Sequence, residues 1–402
     1  AELLLYRAGH TDIRRLKRVY GLLKRHHAAI RRRWRRPDGL YFSSQFGCGM
    51  DDLPRWPRGW TREQIAADGI PFTQDSLTPK FAHMWEEWAS EHAGMECWNR
   101  QIGWIDISAA MALDAKCLAT IAGRLGKDAE AKRAAKAVAA MEKAVEKFGW
   151  DGEWYLRAYD FFGRKVGSKS NAEGRIFIES QGWCGMAEIG KAKGMPEKAL
   201  DATKKYLECE HGIVLNQPAF TKYVVEYGEI STYPAGYKEN AGIFCHNNPW
   251  VIIAETLAGR GTDAWNHYAK ICPSYTEDRS DLHKVEPYVY SQMVAGRDAA
   301  KPGEGKNSWL TGTAAWNWYA ISQFILGVKP DYDALVIDPC IPRGWKSYAV
   351  TRRFRGGTYE IEVKNPKGVE KGVAKVVVDG REVFGNRIPL AKGRHRVTVT
   401  MG

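Results

Sequence analysis

The hydrophobic period of this chain changes once, near residue 330, and that switch limits it to a helical body followed by a β module. Before the switch, apolar residues recur at helical spacing in segments at about 12–34, 79–92, 107–124, 129–147, 180–193, 196–208, 249–270 with a break at Gly259-Arg260-Gly261, 284–296 and 311–326. Long loops rich in Gly, Pro, Asn and aromatic residues separate them, among them QFGCGMDDLPRWPRGW (45–60) and EISTYPAGYKENAGIFCHNNPW (229–250). Ordered loops of that length on a helical scaffold usually carry function. After Pro330 the text turns to short alternating runs, ALVIDP, YAVTRRF, TYEIEVKN, AKVVVDG, REVFG and RHRVTVTM, punctuated by Gly, Pro, Asn and Lys. A period of two with such turns predicts a small antiparallel β domain. The expected division is 1–328 for the helical part and 329–402 for the β part. If helix pairs pack in a ring, the loops of one end surround a central hole, and distant stretches of sequence can meet there.

Composition narrows the function classes. At 44% apolar and 26% charged residues, the chain is neither disordered nor fibrous. No apolar run approaches the roughly 18–20 residues that cross a bilayer, and the first residues, AELLLYRAGHTDIRR, reverse the charge order of a secretory leader. A cytoplasmic location is expected, without membrane contact. The eight cysteines, Cys48, Cys97, Cys117, Cys184, Cys209, Cys245, Cys272 and Cys340, are scattered without CxxC or zinc-type spacing, so reduced, packed thiols are expected. Sixteen Trp and eighteen Tyr suit either a wide helical core or stacking on sugar rings.

The net charge of +12 is concentrated in one place: Arg14, Arg15, Lys17, Arg18, Lys24, Arg25, Arg31, Arg32, Arg33, Arg35 and Arg36, with no acid between them. Ile13, Leu16, Tyr20, Leu23, His27 and Ile30 recur through the same segment at helical spacing. A solvated basic face over a packed stripe accounts for both, and nucleic acid is not an expected partner.

No GxGxxG, Walker-type loop, HExxH or GxSxG occurs, so chemistry must rest on carboxylates, His and hydroxyls. Asp51 and Asp52 stand adjacent in the Gly-flanked loop CGMDDLPR (48–55), ahead of Trp56. In an apolar, Trp-lined pocket a carboxyl group is kept protonated, as a proton donor to a leaving oxygen requires; an N-cap or Asx-turn pair reads equally well from that motif alone. His246 lies beside Asn247, Asn248 and Pro249 in the loop that also holds Glu239. Thr311, Gly312 and Thr313 open a predicted helix, where backbone N–H groups and hydroxyls can hold phosphate or simply cap the helix.

Taken together, WYLRAYDFFGRKVGS (154–168), GRIFIESQGW (174–183), GEISTYPAGYKENAGIFCHNNPW (228–250), EPYVYSQMVAG (286–296), the run from NSWLTGTAAWNW (307–318) through IDPCIP (337–342), and TRRFRGGTYEI (351–361) resemble glycoside hydrolase family 94, the inverting cellobiose and chitobiose phosphorylases. The resemblance spans about 150–402 and implies a mainly α fold, a complete or partial (α/α)6 barrel followed by a small β domain. It also implies phosphate held at His246, Thr311 and Gly312, and sugar contacts at Lys238, Glu239 and Gln292. The first 150 residues depart from that family. FGCGMDDLPRW followed by WIDISAAMALDAKCLATIAGRLG (104–126) is similar to the (α/α)6 hydrolases of the trehalase and family 63 type, whose loop favours Asp51 as the acid; matching the phosphorylase loop favours Asp52. Only about 45 residues precede this loop, where the phosphorylases carry a β-sandwich and further helices, so a fragment, a split gene product or a barrel completed by a second chain is expected.

The leading expectation is inverting phosphorolysis of a β-linked gluco-disaccharide or oligosaccharide. Phosphate attacks the anomeric carbon, Asp51 or Asp52 protonates the departing oxygen, and an α-sugar 1-phosphate and a free sugar result. Inorganic phosphate is then a co-substrate, with no metal or organic cofactor. The runner-up is an inverting hydrolase, which needs a second carboxylate roughly 6.5–9.5 Å from the acid; Glu239, Glu229 and Glu179 are its candidates. A non-catalytic partial barrel, docking through its basic face, is the third reading. A homodimer or a second chain completing the barrel are the expected assemblies.

Overall fold

The computed structural model describes residues 7, 13–41, 102–160, 163–224, 227 and 230–402. The expected helix at 79–92 and the loop carrying Asp51 and Asp52 lie outside the described residues.

Helix α1 (Ile13–Trp34) docks by the stripe read from its sequence: Leu16, Tyr20 and His27 are buried and Leu23 packs beside them on Leu118, Ile121 and Ala122. Polar tips of the stripe are also anchored. The Tyr20 hydroxyl donates to Glu130 at 2.8 Å, and His27 Nδ1 shares a 2.6 Å hydrogen bond with Asp114. Ile13 departs from the expectation, being 40% exposed in the first turn. The basic face, Arg14, Arg15, Lys17, Arg18, Arg25 and Arg32, is exposed.

After strand β1 (Gly103–Trp104), helices α2 (Ile105–Arg124) and α3 (Asp128–Phe148) form a hairpin. Ala109, Ala112 and Ala115 face Ala137, Met141 and Ala144 in one core, small side chains that let the axes approach. Strands β2 (Ala158–Tyr159), β3 (Lys165–Val166) and β4 (Ile176–Phe177) lead to α4 (Ile178–Met186). The helix expected over 180–193 stops early, because Glu188 and Gly190 take left-handed φ of 55° and 66°, which ends a right-handed helix. Helix α5 (Met195–Tyr206) then starts with Pro at its first turn. Short strands β5 (Glu208–Cys209), β6 (Gly212–Ile213), β7 (Asn216–Gln217) and β8 (Ile243–Phe244) precede α6 (Asn248–Leu257) and α7 (Gly261–Ile271), which break where Gly259 was expected to break them.

The expected helix over 284–296 is not formed. Its residues leave the four-residue helix α8 (Ser280–His283) and enter strand β9 (Ser291–Val294), which pairs antiparallel with both β8 and β10 (Gly305–Ser308). Pro287 and the β-branched and aromatic residues before Ser291 suit extended backbone, and two flanking strands satisfy its hydrogen bonds. Helix α9 (Thr313–Tyr319) continues as a π-helical turn, Ala320–Ile325.

Beyond Gly327 the chain is β: β11 (Val328–Pro330), β12 (Ala334–Ile337), β13 (Ser347–Phe354), β14 (Gly357–Lys364), β15 (Lys375–Val378), β16 (Arg381–Val383), β17 (Arg387–Pro389) and β18 (Gly393–Thr400). Asp379-Gly380 and Arg355-Gly356 have positive φ at both central turn positions, the geometry of tight hairpins whose twist matches the strands. The five-stranded sheet runs β13-β14-β18-β15-β16. One pairing departs from the expected antiparallel arrangement: β14 and β18 run parallel, because residues 365–392 cross over before β18 enters between β14 and β15.

The β sheets and the helices share one apolar core, in which Leu335, Ile337, Ile361 and Val397 join Ile252, Ile253, Ala264 and Ile325. Trp265 meets Trp345 edge-on at 4.7 Å. At the junction, Gly327 has φ of 66°, and a Cβ there would lie 2.2 Å from the Asp338 carbonyl. Among the described residues no helix is long and apolar enough to cross a membrane, and no group of three metal-ligating side chains occurs.

Candidate active site

The three-stranded sheet β10-β9-β8 and the segments that flank it hold six of the residues that the sequence analysis singled out: Lys238, Glu239, His246, Gln292, Thr311 and Gly312. Strand β9 is central, and Gln292 lies on it. The Cys245 N–H donates to the Gln292 carbonyl at 3.0 Å, and Asn307 Nδ2 donates to Gln292 Oε1 at 2.9 Å. Each outer strand runs into a helix: β8 through His246 into α6, and β10 through Thr311 and Gly312 into α9.

The turn bearing Lys238 and Glu239 feeds β8 and is held from below by buried amides. Asn240, fully buried, donates from Nδ2 to the carbonyls of Phe220 (2.9 Å) and Tyr233 (2.8 Å), while its Oδ1 accepts from the Phe220 N–H. Asn216 Oδ1 accepts from the Ala241 N–H at 2.8 Å. These bonds fix left-handed backbone at two non-glycine residues, Lys238 (φ 50°) and Ala241 (φ 63°), a conformation costing about 1–2 kcal/mol each. The Lys238 N–H points at Met293 Sδ, 2.9 Å away, so this turn sits against the strand that carries Gln292.

His246 is half-buried between two aromatic rings. It stacks on Phe244 at 5.5 Å and meets Trp250 edge-on at 5.8 Å. Burial pushes its pKa below the ordinary value, favouring the neutral imidazole, which still donates from one nitrogen. Among the described residues the buried Asn247 Oδ1 and Trp250 Nε1 beside it have no hydrogen-bond partner. Buried polar groups without partners are uncommon, and here they cluster beside an imidazole. Trp250 also contacts Trp316 of α9 at 6.0 Å and Trp183 of α4 at 5.3 Å, so an indole cluster ties the start of α6 to the first turn of α9. Gly182 makes room for it: a Cβ there would lie 2.7 Å from Trp250 Cβ.

At the start of α9, Thr311 and Thr313 share a 2.5 Å hydroxyl contact, and the Thr313 N–H donates to Thr311 Oγ1 at 3.1 Å. Gly312 has φ of −84°, which any residue can adopt, and a Cβ on it would meet nothing within 4 Å. Neither backbone conformation nor packing requires glycine there. His246 and the Thr311-Gly312 pair therefore open two adjacent helices, joined by one sheet and one indole contact. Asp51, Asp52 and Glu229 lie outside the described residues. Glu179, a candidate base, sits in the first turn of α4 beside Arg157. The Arg157 guanidinium is fully buried, 2.7 Å from Asp106 Oδ2, 3.8 Å from Glu179 Oε1 and 4.8 Å from the Trp104 ring centre. Burial raises the Glu179 pKa while Arg157 opposes the rise, the setting of a structural ion cluster more than of a water-activating base.

Sequence reasoning missed three groups: the buried amides Asn216 and Asn240, the indoles Trp183, Trp250 and Trp316, and Asn307; Asn248 was named only as a neighbour of His246. Asn248 binds both the N–H and C=O of Ile213. The signal available was the density of Asn and Trp in loops predicted to be ordered.

The fold is that of the (α/α)6 glycoside-processing barrels with a C-terminal β region. The solved structure of GH63 mannosylglycerate hydrolase from Thermus thermophilus in complex with glucose superposes with a TM-score of 0.52 at 14% identity, covering 80% of this chain and 72% of that one. Within that class the chain belongs to the Glycosyl hydrolase 94 superfamily, whose catalytic-domain model matches residues 102–327. A mannosylglycerate hydrolase MGH1-like glycoside hydrolase domain matches 2–175, and the family 65 C-terminal domain matches 328–383. Among curated proteins, the N,N'-diacetylchitobiose phosphorylase of Vibrio furnissii is 38% identical over 265 residues, 65% of this chain and 33% of that protein. The solabiose phosphorylase of Paenibacillus borealis is 35% identical over 250 residues, 62% of this chain and 32% of that protein. The chain thus spans about a third of the length of these relatives.

Proposed function

We propose that this protein carries out inverting phosphorolysis of a β-linked gluco-disaccharide or oligosaccharide, releasing an α-sugar 1-phosphate and a free sugar. The observation that carries the proposal is that one three-stranded sheet bears Gln292 and is flanked by the turns and helix starts that hold Lys238, Glu239, His246, Thr311 and Gly312, with the buried Asn247 Oδ1 and Trp250 Nε1 beside His246 unpaired among the described residues. In this reading His246, Thr311 and the Gly312 backbone hold phosphate, at donors suited to an anion. Lys238, Glu239 and Gln292 hold the sugar that is transferred, and Asp51 or Asp52 protonates the leaving oxygen. Phosphate arrives anionic, so no carboxylate base is needed. The ion pairing of Glu179 with Arg157 fits a site without one.

The barrel is assigned to 1–328 and the β domain to 329–402. The cytoplasm is the proposed location, because a sugar phosphate formed there is retained by its charge, and the free thiols of the six described cysteines suit a reducing compartment. A homodimer or a second chain completing the barrel is the proposed assembly.

A hydrolase is the second reading, favoured by the MGH1-like match over 2–175, which spans the acid loop. One experiment separates the two: sugar 1-phosphate release from β-linked glucose and N-acetylglucosamine disaccharides, with and without inorganic phosphate. Phosphate-dependent release is expected. Free sugars alone, independent of phosphate, would overturn the phosphorylase in favour of the hydrolase.

A further inference from the structure

Beside the proposed phosphate loop the protein exposes two large aromatic rings. Trp309 is 67% exposed and Tyr288 75%, although the surrounding chain holds them in place. Trp309 Nε1 donates to Glu286 Oε1 at 3.0 Å, and the Tyr288 ring meets the indole edge-on at 6.4 Å. The backbone is constrained as well. Asn307 and Trp309 both have left-handed φ, 54° and 71°, a conformation that non-glycine residues adopt only where their surroundings enforce it. Here the Asn307 amide is tied to Gln292, and the Thr311 hydroxyl caps the next turn. A pinned, solvent-facing indole two residues from Thr311 is thus built into the loop.

From this placement we propose that Trp309, supported by Tyr288, is a stacking platform for a pyranose ring of the carbohydrate substrate. The inference rests on the carbohydrate-processing reading of the site and adds a residue to it. The chemistry is specific to a sugar. The axial C–H groups of a pyranose form a flat apolar face that covers an indole, and the ring's equatorial hydroxyls need acceptors at its rim. Glu286 supplies one: hydrogen bonds from its own backbone, Trp309 and Ser308 hold its carboxyl below the usual range, so it stays ionised, with acceptor capacity beyond the indole. The platform adjoins Gln292 through Asn307, so a ring stacked there is continuous with the sugar-binding side of the sheet.

The test compares Trp309→Ala and Trp309→Phe with the unaltered chain. It uses calorimetric titration with cellobiose and N,N'-diacetylchitobiose, and KM for disaccharide and for phosphate. Trp309→Ala is expected to weaken disaccharide binding and raise its KM about tenfold, Trp309→Phe to stay within about threefold, and the phosphate KM to move less than about twofold. Unchanged disaccharide binding, or no binding to the unaltered chain, would overturn the platform. A parallel rise in the phosphate KM would reduce Trp309 to a support of the Thr311 loop, and a changed association state would make the patch a protein interface; either overturns the proposal. If the chain binds and cleaves the disaccharides without phosphate, and Trp309→Ala weakens that binding, the phosphorylase reading fails while the platform stands.

Discussion

Replacing Arg157 by Met tests the ion cluster under the candidate site. At an effective dielectric constant of about 20, the attractions at 2.7 Å to Asp106 and 3.8 Å to Glu179 are about 6 and about 4 kcal/mol gross. Most of this offsets the cost of burying three charges. The net loss on removing only the cation is about 3–5 kcal/mol, because two carboxylates stay buried without it. Met keeps the volume, so little of the loss comes from a cavity. At about 2–4 °C per kcal/mol, Tm falls by about 6–20 °C, read by calorimetry. The loss also depends on pH. The folded-state pKa of Glu179 is raised by burial, so its contribution to stability is full below the unfolded value of about 4.3 and is lost as pH rises through the folded value. Without Arg157 the folded value moves further up, the window widens, and the destabilisation grows from pH 5 to pH 8. Combining Arg157→Met with Asp106→Asn and Glu179→Gln should recover most of the loss. A loss under about 1 kcal/mol, or one flat across that pH range, would refute the argument that buried charge dominates this cluster.

Three further outcomes are expected. Gly312→Ala keeps or slightly raises Tm, since φ there is ordinary and the Cβ meets nothing, but raises the phosphate KM at least about tenfold if phosphate lies against that backbone; an unchanged KM moves the anion elsewhere. Of Asp51→Asn and Asp52→Asn, one lowers kcat by about 100-fold or more with an activated leaving group least affected, and equal mild losses in both would remove the acid from this loop. Gly327→Ala costs about 2–5 kcal/mol by denaturant unfolding, combining left-handed strain with a 2.2 Å approach to Asp338; a cost near zero would mean the junction can shift.

The parts of the fold legible in the sequence are those set by local forces. Helix α1 is readable because Leu16, Tyr20 and His27 form one stripe, and the β15–β16 hairpin because Asp379-Gly380 prefers its turn. Strand β9 was not readable. Val285, Val289 and Met293 are spaced four apart and fit a helical face, whereas what makes the segment a strand is pairing with β8 about 50 residues earlier. The site divides the same way. His246, Thr311 and Gly312 were singled out as candidates by their loop text and the family resemblance, and their placement around one sheet depends on that same pairing. The indoles Trp183, Trp250 and Trp316 come from three separate segments, and nothing local marks them as one cluster.

That division bears on the choice between phosphate and water. In the proposed reaction the loop at 48–55 and the sheet-side residues 238–312, separate pieces of chain, serve different ends. Protonation of the leaving oxygen is common to phosphorolysis and hydrolysis, so a hydrolase-like loop around Asp51 and Asp52 carries little information about the nucleophile. The nucleophile is chosen where it is held. On the sheet side, the proposed phosphate ligands are the His246 imidazole, the Thr311 hydroxyl and the Gly312 backbone at a helix start, groups able to donate to an anion. An inverting hydrolase instead needs an ionised carboxylate facing a water roughly 6.5–9.5 Å from the acid. Glu179 is tied to Arg157, which leaves Glu239, of the three candidates, as the described carboxylate to test for that role. The match of sheet-side chemistry to an anionic nucleophile, and not the resemblance of the acid loop, is therefore the stronger ground for phosphorolysis.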